Sequence, residues 1–233
     1  MSIVAETSNA GKHTGIALLV ILVVYPLLYC SGIMGVIIEP IFTRASRLHW
    51  WLFWLVNLGF HIIPFLVVRR TLSRNHESWM SLGLDWNWFL SKRTWFVVLL
   101  LLLIACAVFV PQAYYGDNPP RISNTIFIAP ITVWERLFVI FAAAVVGVTE
   151  EVLFRGFAIT RLNQLTHSVW LSVLIAGVAF IFIHGTPKSW GGGLQYFVAA
   201  LAFSVPFVLL KYKRLEWLIT IHFLIDVSLV LAP

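Results

Sequence analysis

ITVWERLFVIFAAAVVGVTEEVLFRGFAITRLNQL, residues 131–165, is an apolar run interrupted in its middle by Glu150, Glu151 and Arg155. At 1.5 Å rise per residue it is much longer than the roughly 20 residues that cross a hydrocarbon core once. It therefore reads as a membrane helix whose start, near Glu135 and Arg136, lies along the interface. That placement moves Glu150 toward the middle of the bilayer, where a carboxyl group needs a reason to be.

The rest of the chain agrees. Its 233 residues are 60% hydrophobic and only 11% charged, with a mean hydropathy of +0.90, whereas soluble domains carry about a quarter charged residues. Outward from the quoted stretch, apolar segments fall at Ile16 to Ile38, Trp50 to Val68, Trp95 to Val110, Val169 to His184, Leu194 to Leu210 and Leu215 to Leu231. Lipid forces backbone groups to pair within a segment, so each is expected to be helical. The fold class is all-α, a polytopic transmembrane bundle of about seven to eight helices forming one membrane domain over 1–233, with residues 131–233 as its chemical core. Pro26, Pro64 and Pro206 fall inside spans, where kinks are expected. The loop Tyr114 to Pro130 reads as an external turn, and Gly191 to Gly193 as a short hinge or turn. No internal repeat is visible.

The net charge of +6 does not point to nucleic acid, because Lys and Arg are scattered between spans instead of forming one patch. They report topology. An inside amino terminus puts ten of them on the cytoplasmic side, including Lys12, Arg69, Arg70, Arg74, Arg161 and Lys211, against five outside. The stretch 77–90, with Trp79, Trp86 and Trp88 between basic clusters, is expected to lie at the cytoplasmic headgroup level. Cys30 and Cys106 sit in apolar surroundings and read as packing residues. The first apolar run is too long for a signal-peptide core and is expected to stay as an anchor.

Three spans carry the chemistry. In the fourth, each ionisable group costs about 2.5 to 3.5 kcal/mol near a helix centre on insertion scales, so each needs a partner. Glu151 and Arg155 stand four residues apart on one face and form a natural ion pair. Glu150 points about 100° away and has no local partner. In the fifth span Phe180 and His184 share a face at the same spacing, and in the last span His222 and Asp226 repeat it. Packed together, these helices bring a carboxyl group, two imidazoles and a second carboxyl group into a low-dielectric cavity, the material of acid-base hydrolysis. With the spans bounded as above, His184 lies about 24 Å along its helix from the cytoplasmic end and His222 only about 10 Å. Tilts, kinks or shifted boundaries must reconcile them.

Glu-Glu-x-x-x-Arg, then Phe-x-x-x-His, then His-x-x-x-Asp, in this order on successive hydrophobic segments, resembles the CPBP family of intramembrane proteases. That family comprises type II CAAX prenyl proteases and their bacterial bacteriocin-processing and immunity relatives. The resemblance covers the chain from the fourth span onward; upstream it extends only to hydropathy and to Ser81-Leu82-Gly83-Leu84. It implies that Glu150 is the general base activating a water, that His184 helps to hold that water, and that Glu151 and Arg155 support the site. His222 and Asp226 would line the place where the oxyanion develops. The family often has Asn at the last position, an amide that donates to an oxyanion, whereas an ionised Asp would repel one. Asp226 is then either protonated or, the reading taken here, a group that orients His222.

A carboxylate and two histidines are also zinc ligands, but no His-Glu-x-x-His pair concentrates them on one helix, so no metal and no cofactor is expected, with zinc as the alternative. Asn57 and His61 of the second span read as interhelical hydrogen-bonding groups outside the site. The expected activity is a glutamate-type endopeptidase acting on a prenylated or membrane-associated peptide or protein. Its partners are the lipid bilayer and that substrate, with no nucleic acid. A non-catalytic scaffold or bacteriocin self-immunity protein is the rival, and a transporter ranks last without an inverted repeat. The compact chain favours a multi-pass protein of a bacterial plasma membrane.

Overall fold

The computed structural model describes residues 2–30, 47–92, 96, 130, 132–184 and 190–231, and these contain helices and turns but no strand. The predicted span from Trp95 to Val110 and the predicted turn from Tyr114 to Pro130 lie outside the described residues, apart from Phe96 and Pro130. Helix α1 (Ser2–Leu19) passes through a π-helical turn at Val20–Val24 into α2 (Tyr25–Cys30). Pro26 accounts for that turn: it has no N–H to give to the carbonyl four residues back, and its ring crowds that carbonyl. The preceding backbone relaxes to a longer bond, Tyr25 N–H to Val20 O.

Helix α3 (Arg47–Arg74) carries Pro64 in its interior; a short turn at Trp79–Leu82 and α4 (Asn87–Leu90) follow. Helix α5 (Val133–Glu150) begins at a capping box, in which Thr132 Oγ1 accepts from Glu135 N–H at 3.2 Å and the Glu135 carboxylate accepts from Thr132 N–H at 3.0 Å. Glu135 thus closes the helix start. The π-helical stretch Glu151–Ile159 continues α5 into α6 (Thr160–Thr166). Helices α7 (Val169–Ile183), α8 (Trp190–Leu209) and α9 (Leu215–Leu231) complete the set. Gly191 to Gly193, expected to turn, instead form the first turn of α8. There the backbone N–H groups lack intrahelical partners anyway, and glycine costs little. Among the described residues three helices, Gly11–Cys30, Trp50–Arg74 and Val133–Thr166, are long and apolar enough to cross a bilayer, and the protein is a helical membrane bundle.

The core is continuous across α1, α2, α3, the π-helical stretch, α7, α8 and α9. Gly147 lets α5 meet α9 closely, since a Cβ there would lie 3.3 Å from the backbone nitrogen of Phe223 and 3.4 Å from the carbonyl of Ile219. At one end of the bundle the chain after α3 folds back under α9. Leu82 and Leu84 are completely buried, and Leu215 N–H donates to Gly83 O at 3.0 Å. Gly83 holds φ +80, and a side chain there would run into the carbonyl of Tyr212. The same end collects Arg69, Arg70, Arg74, Arg161, Lys211 and Lys213, with Glu77 accepting from Arg161, Ser81 and Asn75.

This arrangement removes the mismatch in depth. Leu215 begins α9 level with Gly156, where a Cβ would touch the Leu215 and Leu82 side chains at 3.0 and 3.3 Å, not level with the start of α7. From Gly156 to Glu150 is about 9 Å of helix, from Leu215 to His222 about 10 Å, and α6 extends about 15 Å beyond Gly156. Glu150, His184 and His222 therefore reach one level from helices that start at different heights.

Candidate functional site

Glu150 and Glu151 are adjacent and both buried, at 3% and 0% exposure, yet they face different surroundings. Glu151 belongs to a dry clamp. Its Oε1 accepts from Arg155 at 3.1 Å and lies 2.8 Å from Nδ1 of His222. Arg155 also donates to the carbonyl of Ala200 at 3.4 Å, and its guanidinium stands over Phe180 at 4.4 Å and Phe203 at 5.3 Å. A charge removed from water is tolerated only when paired and hydrogen-bonded, and here one carboxylate oxygen ties together the π-helical stretch, α9 and, through Arg155, α8.

Glu150 instead forms part of the wall of a cavity of about 290 Å³, lined also by Tyr29, Trp54, Asn57, His61, Val139, Ala143, Val146, Ile183, His184 and Asp226. Its Oε2 stands 3.8 Å from Nε2 of His222, and its Oε1 3.7 Å from Nδ1 of His61. These gaps exceed hydrogen-bond length, as is common for catalytic groups before substrate tightens them. Oε2 of Glu150 and the indole N–H of Trp54 are buried and have no hydrogen-bond partner among the described residues. At liquid density a cavity of this size has room for several waters, which are the natural partners for such groups.

Glu151 takes Nδ1 of His222, so Nε2 is the nitrogen presented to Glu150 and, at 3.7 Å, to Asp226. The hydrogen bond that orients this ring therefore comes from Glu151, and Asp226 stands on its other side, half-buried at the cavity wall. His184 closes α7; its Nδ1 lies 2.9 Å from the carbonyl of Phe180, so the N–H is on Nδ1 and the neutral ring keeps its lone pair on Nε2. The ring stacks on Tyr196 at 4.4 Å and meets Phe180 at a tilt, 4.7 Å between centroids. Phe180 thus packs against both Arg155 and His184 and links the clamp to the cavity.

The structure therefore brings Glu150, His222 and Asp226 within 4 Å contacts and sets His184 on the same cavity wall. It also places there two residues that sequence reasoning kept out. His61, 5% exposed, approaches Glu150 directly and lies 2.8 Å from the hydroxyl of Tyr25 through the same Nδ1. Asn57 accepts from the Tyr29 hydroxyl at 3.1 Å. The available signal was the spacing: Asn57 and His61 are four apart, like Phe180 and His184 or His222 and Asp226. Among the described residues no three His, Cys, Asp or Glu side chains converge in an arrangement suited to a metal ion, so no step below is routed through one.

Residues 131–228 match the family described as type II CAAX prenyl endopeptidase, Rce1-like. No curated protein and no solved structure matches the chain. The matched region holds Glu150, Glu151, Arg155, Phe180, His184, His222 and Asp226; Tyr25, Tyr29, Asn57 and His61 lie outside it.

Proposed function

We propose, from the match of residues 131–228 to the family of type II CAAX prenyl endopeptidases, that the chain hydrolyses a peptide bond of a membrane-associated peptide or protein with a water activated by Glu150. The observation that carries the reading is the buried Oε2 of Glu150, without a hydrogen-bond partner among the described residues, 3.8 Å from His222 at the wall of the cavity.

In this scheme Glu150 takes a proton from the water while its oxygen attacks the scissile carbonyl carbon. His184, with its lone pair on Nε2, holds the water's second hydrogen. The tetrahedral oxyanion forms beside Nε2 of His222, which donates to it when protonated, and the Glu151–Arg155 clamp prevents the ring from turning. The C–N bond then breaks, the leaving amine takes the proton from Glu150, and a carboxylic acid and an amine depart, the acid passing its proton to the amine once both reach water. Asp226 faces the same Nε2 at 3.7 Å.

Glu150→Gln keeps the shape and removes the base. Cleavage is expected to fall by about 10²- to 10⁴-fold, the range of a single acid-base group, while the detergent-solubilised protein keeps its thermal transition. Undiminished turnover would remove Glu150 as the base, and a biological phenotype that survives the loss of cleavage would leave a binding or immunity role in its place. Dialysis against a strong chelator is expected to leave turnover unchanged; activity lost to chelator and restored by Zn²⁺ would replace the glutamate scheme with a metal one.

A further inference from the structure

The cavity is confined to one half of the bundle. Helix α1 runs into α2 away from the basic end, and Tyr29 is near the far end of α2; α3 and α5 run toward the basic end, and Trp54, Asn57 and Val139 lie in their first halves. His184 stands at the far end of α7 and remains exposed. From Glu150 the cavity extends along α5 to Val139, about 16 Å away from the basic end.

The other direction is filled. Between Glu150 and the basic end Ile21, Val68, Leu82, Leu84, Phe157 and Phe207 are completely buried. Phe154 closes the level just below Glu150, packed against Tyr25 at 6.3 Å and edge-on to Phe180 at 5.4 Å. Beneath these the ion pair of Arg161 with Glu77 and the turn at Gly83 seal the end. Among the described residues this close packing leaves no path wide enough for a peptide.

Basic residues between spans mark the cytoplasmic side of a membrane protein, and Arg69, Arg70, Arg74, Arg161, Lys211 and Lys213 all lie at the sealed end. We therefore propose that water and substrate reach Glu150 from the non-cytoplasmic face, so that the substrate class is a peptide segment presented on that face or in the outer half of the bilayer. A prenylated tail displayed in the cytoplasm is the excluded class. The wall fits the assignment: Trp54, Val139, Ala143, Val146 and Ile183 offer apolar surface for aliphatic side chains, with the polar groups gathered around Glu150. The inference deepens the protease reading and depends on it.

The test is sided accessibility in sealed vesicles of determined orientation. In a Cys30→Ser, Cys106→Ser background, Val146→Cys places a thiol one turn from Glu150, and Ser73→Cys places one on the exposed basic end. A small membrane-impermeant methanethiosulfonate is expected to modify Val146→Cys at least tenfold faster from the non-cytoplasmic face, and Ser73→Cys only from the cytoplasmic face. Val146→Cys reacting from the same face as Ser73→Cys, or from neither, overturns the proposal.

The unsubstituted chain gives a second measurement that does not depend on the cysteine variants folding. A quenched fluorescent peptide library supplied to one face at a time is expected to be cut only from the face opposite Ser73. Cutting of a prenylated peptide from the basic face overturns it. The protease reading fails separately: sidedness is meaningless in detergent, so cleavage there that ignores Glu150→Gln removes the chemistry, whereas wrong-sided labelling removes only the direction of access.

Discussion

The half of the bundle toward the basic end and the half beyond Glu150 are made by the same helices and built on opposite principles. In the first, the π-helical turn after α1, α3 and the π-helical stretch after α5 interlock Ile21, Val68 and Phe157, all fully buried, and the ionisable groups are bound to one another. In the second, α2, α3 and α9 turn Tyr29, Asn57, His61 and Asp226 toward a cavity. Both halves hold buried polar atoms without a partner among the described residues, Oε2 of Glu151 and Nε of Arg155 in the clamp and Oε2 of Glu150 at the cavity wall, but only the last faces open space. Glu151 and Glu150 stand on either side of the boundary. The difference teaches that the cost of bringing charge into hydrocarbon is met on one side by the Arg155 clamp, which fixes the geometry, so that on the other side Glu150 remains available to a water.

Experiments can break that contrast. The largest effect on stability is expected from Arg155→Ala, which leaves Glu151 as an uncompensated buried charge and should cost about 3 to 5 kcal/mol. A thermal melt in detergent would read it, and a melt no lower than that of Glu150→Gln would erase the distinction between the two carboxylates. His61→Leu tests whether the cavity wall contributed by α3 takes part in the chemistry. It should lower kcat by up to about 10²-fold through misplacement of Glu150 while changing the melt little. A loss of stability with kcat intact would return His61 to a packing role. Gly147→Leu sharpens the comparison from the packed side. It forces α5 from α9 and is expected to cost about 1 to 3 kcal/mol and to reduce turnover together with it, because Glu151 loses its reach to His222.

Most of the site was legible because its motifs are polar groups in apolar spans, each four residues from a partner. Glu151 with Arg155 follows from the spacing alone, and the structure shows the pair at 3.1 Å. His61 was illegible in its role. A histidine in a membrane helix has many interhelical uses, and only the placement of α3 beside α5 shows it against Glu150. The depth of His222 was also beyond reach. It depends on Leu82, Gly83 and Leu84 folding beneath α9, and a run of Trp and Leu between basic residues gives no sign that it will turn inward instead of resting on the headgroups. The π-helical stretch from Glu151 to Ile159 has no periodicity that distinguishes it from an ordinary helix of the same apolar residues.

The seat of α9 has a consequence for how the protein comes to be active. His222 and Asp226 are carried by the helix that follows every other described element in the chain, and that helix docks onto a carbonyl at Gly83, presented by a segment made much earlier. During synthesis Glu150 is already in the membrane while the imidazole opposite it has yet to leave the ribosome. On the proposed mechanism the growing polypeptide carries an unfinished reaction centre past its own nascent helices, and competence to cut arrives only as α9 docks.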